Sequence, residues 1–125
     1  LFSFNGVLVG LNICEDIWHE DGPAKSQAAA GASVILNINA SPYRAHKLEE
    51  REDVIRRRAK ENNVTVVYTN LVGGQDELVF DGRSMVVDGL GKVTAMAEAF
   101  REDLLIADIS AAAHAPSRRA RSLKK

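Results

Sequence analysis

Val7-Leu8-Val9-Gly10-Leu11-Asn12-Ile13-Cys14-Glu15-Asp16-Ile17-Trp18 is the stretch from which the fold can be worked out. The apolar, β-branched run from Val7 to Ile13 predicts a buried strand. Two acids follow Cys14, and Gly22-Pro23 opens a small-residue helix. Cys14 therefore stands at a strand-to-helix turn, where a nucleophile can be held exposed and rigid at a sheet edge. A lone cysteine can equally be a small core hydrophobe. The flanking Glu15 and Asp16 place this thiol at a polar rim, and local context leaves both roles open.

Working outward, Leu1 to Phe4 and Val7 to Ile13 are apolar runs joined by Asn5-Gly6, a hairpin signature. Ala24 to Ala32 is rich in alanine and predicts a helix able to approach a sheet closely. Ser33 to Asn39 is the next buried strand, ending in the loop Ala40-Ser41-Pro42-Tyr43. His46 to Asn62 is a charged helix with Leu48, Ile55 and Ala59 on one stripe, and Val64 to Asn70 is a third strong strand. Gly73 to Glu77 reads as a loop, and Phe80-Asp81-Gly82 leads into a strand from Ser84 to Val87. Asp88 to Gly91 makes a tight turn before Lys92 to Ala97, and a last strand is expected over Leu104 to Ile109. Helices alternate with strands early and hairpins dominate late, which predicts an α/β layered domain with a mixed sheet. The domain is expected over residues 1–109, with 110–125 as a basic linker or tail.

The 125 residues suit one domain, and a net charge of −1 argues against a general polyanion-binding surface. One cysteine excludes an internal disulfide and fits a reducing cytoplasm. No apolar run is long enough to span a bilayer, so no membrane partner is expected. Arg118, Arg119, Arg121, Lys124 and Lys125 read as a solvated end rather than a nucleic-acid patch. The chain starts within a strand and without Met, which suggests a piece of something longer. His19, His46 and His114 read as surface histidines, and their scatter offers no metal-ligand spacing. Gly73-Gly74 lacks the lysine-serine or lysine-threonine pair of a phosphate loop.

A better cluster forms where neighbouring strands end together. Cys14, Glu15 and Trp18 on one loop, Ser41 on the next, and Gln75 to Asp81 after the third strand share one end of the sheet. Loops at the carboxyl ends of successive strands are where α/β folds build sites. A nucleophile, an acid for an amino group, a hydroxyl and an aromatic wall suit a small zwitterionic amide.

At these residues the chain resembles the carbon–nitrogen hydrolase (nitrilase) superfamily, and within it the glutaminase domains of glutamine-dependent NAD synthetases. The motifs are Gly10 to Trp18, Leu36-Asn37-Ile38-Asn39-Ala40-Ser41-Pro42-Tyr43, and Val67 to Gly82 with its Gly-Gly-Gln-Asp-Glu-Leu-Val-Phe-Asp-Gly ending. The likeness runs from the start to about Ile109. It implies an αββα sandwich, here about its carboxyl-terminal half, and hydrolysis of L-glutamine through a Cys14 thioester. It further implies that the Glu15 backbone N–H stabilises the oxyanion, and that Glu15 and Ser41 hold the α-amino and carboxylate end. Trp18 would wall the pocket. Lys47 is a candidate to balance Glu15 or the substrate carboxylate, with a solvent-facing helix lysine as its alternative. Arg51, one turn on, is expected to orient acids structurally. The family's glutamate base and oxyanion lysine both precede the cysteine, and neither Lys25 nor Lys47 can take that place. This stretch alone is therefore expected to be inactive and to expose an apolar sheet face. It implies no cofactor here. ATP and Mg²⁺ belong to a downstream synthetase domain that amidates deamido-NAD to NAD, and the full enzyme is expected to be a homo-oligomer. A stand-alone amidase or nitrilase of other specificity, or a catalytically incomplete fragment, is the alternative.

Overall fold

The computed structural model describes residues 1–111. His114 and the basic cluster from Arg118 to Lys125 lie outside the described residues. The hairpin β1 (Phe2–Phe4) and β2 (Val7–Ile13) turns on Asn5 and Gly6, whose φ angles of 47° and 79° are both left-handed. Asparagine and glycine tolerate that geometry, and the turn it makes matches the twist of paired strands. Helix α1 (Pro23–Ala29) leads to β3 (Val34–Asn39), helix α2 (Lys47–Asn62) and β4 (Thr65–Asn70). A small ribbon of β5 (Val72–Gln75) and β6 (Leu78–Asp81) follows, then β7 (Met85–Val87) and β8 (Val93–Met96).

The main sheet has six strands in the order β1-β2-β3-β4-β7-β8. Strands β2, β3 and β4 are parallel, and their flanking strands run antiparallel. The expected mixed sheet is therefore present. Both helices lie on one face. Ile35, Val66, Tyr68, Met85 and Val87 from the strands form a single core with Ala24, Ile55 and Ala59. Gly10 of β2 makes room for the Gln27 side chain of α1: a Cβ there would sit 2.5 Å from Gln27 Oε1 and 2.7 Å from Ile35 Cδ1.

Two expectations need correction. Gly73 to Glu77 is not a loop, since Val72 to Gln75 pairs with Leu78 to Asp81 around Asp76 and Glu77. Glycines suppress the local strand signal, and the pairing across the turn overrides it. Leu104 to Ile109 is not a strand, because no neighbour among the described residues supplies a ladder. Apolar periodicity reports which side is covered, not whether a hydrogen-bonding partner exists.

The second face of the sheet is apolar and uncovered among the described residues. Phe4, Ile13 and Ile38 are 70%, 63% and 51% exposed. With Leu11 and Leu36 they occupy successive register positions on that face. A groove of about 590 Å³ runs there between Phe2, Phe4, Val9 and Leu36 on the sheet and Ile109 beside it. Monomeric proteins rarely leave so continuous an apolar patch in water.

On the helix face, Arg51 of α2 makes a bidentate ion pair with Asp81 at the end of β6, at 3.2 and 3.1 Å. The two side chains are 1% and 4% exposed. This pair anchors α2 to the ribbon 30 residues away. Asp81→Asn is expected to destabilise the chain by about 3–5 kcal/mol in urea unfolding, because Arg51 keeps a buried, unpaired charge. Arg51→Met with Asp81→Leu should cost far less; equal losses would show that the charge pairing is not the origin. The open face should bind a fluorescent apolar dye and drive self-association. Leu36→Lys with Ile38→Lys should remove most of both effects, and an unchanged dye signal would place the apolar surface elsewhere.

Candidate active site

Cys14 is half-buried and has φ +47°, a left-handed conformation that a side chain with a Cβ adopts at a cost of about 1–3 kcal/mol. It is the first residue of a tight helical turn, Cys14–Ile17, that continues directly from β2. Asp16 enforces the bend: its Oδ2 accepts a hydrogen bond from the Ile13 N–H at 2.9 Å. The Trp18 N–H closes the turn on the Glu15 carbonyl at 2.9 Å. Ile17 is fully buried in the core and anchors the turn from below, while Glu15 is exposed. The Glu15 N–H lies in the first turn, where no intrahelical carbonyl is positioned to accept it.

Ser41 follows β3 and is buried. Asn70, the last residue of β4, clamps it: the Ser41 N–H donates to Asn70 Oδ1 at 2.8 Å, and Asn70 Nδ2 donates to the Gly82 carbonyl at 2.9 Å. One carboxamide thus joins the loops after β3 and β6. Lys47, at the start of α2, places its Nζ 3.8 Å from the centre of the Trp18 ring and 3.9 Å from Glu50 Oε2. A cation over an indole face is an electrostatic contact as well as a packing one. Partial burial lowers the Lys47 pKa, aided by the charges of Arg44 and Arg51, while Glu50 and Glu15 oppose the shift. Lys47 is therefore turned toward the cysteine turn rather than toward solvent.

The structure brings Cys14, Glu15, Trp18 and Lys47 to one sheet edge, with Ser41 on the adjoining loop. His19 and His46 are exposed, as expected. The ribbon reaches the same edge through its Val79 carbonyl, which accepts the Tyr43 N–H at 2.7 Å. Tyr43 also meets Phe100 edge-on, with ring centres 5.2 Å apart.

Residues not anticipated from sequence lie beneath these. Asn37 Nδ2 donates to Asn12 Oδ1 at 2.6 Å, and Asn39 Nδ2 donates to Asn37 Oδ1 at 2.7 Å, a buried ladder across β2 and β3. Tyr68 is fully buried. Burial pushes its pKa up to about 12, against the pull of the Arg51 charge and the Ser41 hydroxyl. Asparagines at alternate positions of otherwise apolar strands were the available signal, because strands disfavour asparagine without a reason. Among the described residues, no group of three or more His, Cys, Asp or Glu could hold a metal ion. No helix there is long and apolar enough to cross a membrane.

The carbon-nitrogen hydrolase family profile matches residues 1–119. This chain belongs to the carbon–nitrogen hydrolase family. It is 50% identical over 105 residues to the glutamine-dependent NAD(+) synthetase of Aquifex aeolicus, covering 84% of this chain and 18% of that protein. The chain thus spans about a fifth of the length of that relative. Among solved structures, the glutamine-dependent NAD+ synthetase of Acinetobacter baumannii superposes with a TM-score of 0.78 at 37% identity, covering 82% of this chain and 19% of that one. An amidase from Nesterenkonia sp. AN1, captured with acrylamide added at its active-site cysteine, gives a TM-score of 0.66 at 28% identity, covering 78% and 37%. The fold is nitrilase-like, in a partial domain.

Lys47 is expected to titrate below an ordinary lysine when followed by NMR of its side-chain carbon. Glu50→Gln should move the midpoint further down, since it removes an opposing carboxylate; an upward move would contradict this electrostatic picture. The unfolded chain holds that proton to higher pH, so the group favours folding increasingly as pH rises from the lowered pKa toward the ordinary one.

Proposed function

We propose that this chain is the carboxyl-terminal part of a glutaminase domain that supplies ammonia within a glutamine-dependent NAD synthetase. The observation that carries the reading is the left-handed Cys14 turn, held by Asp16 and Ile17 and facing Lys47 and Trp18 at the carboxyl end of a parallel strand. The 50% identity to an NAD synthetase supports the same assignment, and an active-site cysteine on the same fold in an amidase supports the role of Cys14.

In this reading the Cys14 thiolate attacks the side-chain carboxamide carbon of L-glutamine. The C–N bond breaks, ammonia leaves with the added proton, and a γ-glutamyl thioester remains. Water then attacks the thioester, releasing glutamate and restoring the thiol. The Glu15 N–H, at the start of its helical turn, donates to the developing oxyanion. Ser41 and the Glu15 side chain hold the α-carboxylate and α-amino end, Lys47 balances the negative charges, and Trp18 forms the wall. A free thiol is mostly protonated at neutral pH, so a base must take its proton. That base and the oxyanion lysine come from a segment upstream of Leu1, and the same segment supplies the second sheet that covers Leu11, Ile13, Leu36 and Ile38. ATP and Mg²⁺ serve a downstream synthetase domain that consumes the ammonia.

Glutamate release should be measured for this chain and for a protein extended upstream to restore the sandwich. The chain alone is expected to be inactive and the extended form active, with Cys14→Ala abolishing activity. Absence of glutamine hydrolysis in both would overturn the proposal in favour of an amidase of other specificity or a non-catalytic fragment.

A further inference from the structure

Residues 102–110 make no backbone hydrogen bond among the described residues, and what lies beside each end sets their path. Glu102 and Asp103 share a cavity with Thr69 and Ser84, at the carboxyl end of β4 and just before β7. Ser110 shares another with Thr65 and Asp88, at the amino end of β4 and just after β7. The segment therefore runs the length of β4, about 20 Å, which the chain from Asp103 to Ser110 covers only when nearly extended. It crosses the side away from the helices, where Ile109 and Ala111 wall the apolar groove over Val9 and Leu36. Val86 faces that same side, because its neighbours Met85 and Val87 point into the core, yet it is only 5% exposed. Within the segment Leu105 and Ala107 are half-buried, whereas Leu104 and Ile106 are 82% and 83% exposed. That alternation is the period of a strand, with one side on the sheet and the other turned away.

A strand-like segment laid over a sheet belongs to a second layer and cannot join the ladder beneath it. Whatever covers Leu11, Leu36 and Ile38 also encloses the backbone of 104–109, and buried backbone donors and acceptors must be paired. A helix offers no such groups along its length, because it uses its own. The strands beneath use theirs as well, in the β2–β3 and β3–β4 ladders, so a second copy stacked face to face leaves the segment unpaired. A neighbouring strand about 4.8 Å away presents a full row of partners. The groove of about 590 Å³ lies where that strand would run, over Val9, Leu11, Val34 and Leu36 and beside Ile109. The length to supply it exists in a relative of this fold, since the match to the Nesterenkonia amidase covers 78% of this chain and 37% of that one.

Resting on the reading that an upstream segment supplies the second sheet, we infer that residues 104–109 are themselves a strand of that sheet, formed when an upstream strand pairs along the edge facing the groove. The incoming strand lies over Leu11 and Leu36 and turns apolar side chains toward them at alternate positions. Leu104 and Ile106 then face an outer layer instead of water, which accounts for a segment that is apolar on both sides. The chain thus gives strands to both layers, and backbone hydrogen bonds through 104–109 join the halves that would otherwise only stack.

Hydrogen exchange of the upstream-extended protein, followed by mass spectrometry over 104–109, tests the assignment. At least half of these amides should exchange about a hundredfold or more slower than in an unstructured peptide, independently of protein concentration. Neighbouring N–H groups point to opposite edges of a strand, so at least one of Ile106→Pro and Ala107→Pro should lower Tm by about 5 °C or more. Protection below about tenfold, in an extended protein that no longer binds an apolar dye, overturns the proposal by showing the face covered without pairing here. Protection lost on dilution to monomer overturns it by assigning the ladder to a second copy. An extended protein that still binds the dye overturns the second-sheet premise and this proposal together. None of these outcomes depends on catalysis: protection of 104–109 in a protein that hydrolyses no glutamine keeps the strand and removes the glutaminase reading.

Discussion

Ile13, Ile38 and Thr69 stand side by side at the carboxyl ends of three parallel strands, and the rest of the structure depends on that register. A slip of one residue would turn every side chain of a strand to the other face. The buried asparagine ladder of Asn12, Asn37 and Asn39 makes such a slip costly. Slipped by one, these carboxamides would face the apolar side and lose their partners. The ladder thus fixes which loops leave the sheet edge together, and those loops carry Cys14 and Ser41.

The two faces of the sheet are in opposite physical situations. On one, small residues of α1 and the apolar stripe of α2 close a core around Ile35, Val66 and Tyr68. On the other, Leu11, Ile13, Leu36 and Ile38 remain exposed. A sheet of β-branched and leucine side chains on both faces is a sheet built for covering on both. That asymmetry agrees with a nitrilase-like partial domain. It also separates the face that carries the helices from the face that lies open.

Electrostatics at the site follow the same economy. The Arg51–Asp81 pair is buried, whereas Arg44–Glu50 and Arg101–Glu98 sit at the surface and contribute little. Lys47 lies between these extremes, packed on Trp18 and close enough to Glu15 to sense its charge. Its cation is held over the cysteine turn by aromatic packing rather than by a strong carboxylate partner.

The strand–turn–helix order, the Asn5-Gly6 hairpin and the strand ending at Cys14 were legible in the sequence, because each rests on local periodicity and turn chemistry. That Cys14, Glu15, Trp18 and Ser41 fall at one end of the sheet was legible because each follows a strand, whereas Lys47 entered only through the family resemblance. The 73–77 segment and the 104–109 segment were misread, since strand pairing is a non-local property that glycines can hide and apolar alternation can mimic. The asparagine ladder left only the signal of asparagines at alternate strand positions, and the burial of Tyr68 and the reach of Arg51 to Asp81 left none. The Asn12–Asn37 and Arg51–Asp81 contacts join residues 25 and 30 positions apart. By itself the sequence determined which residues could do chemistry and the local turns that present them. Tertiary structure alone decided which of those residues share a site, because register and helix docking set every distance between them.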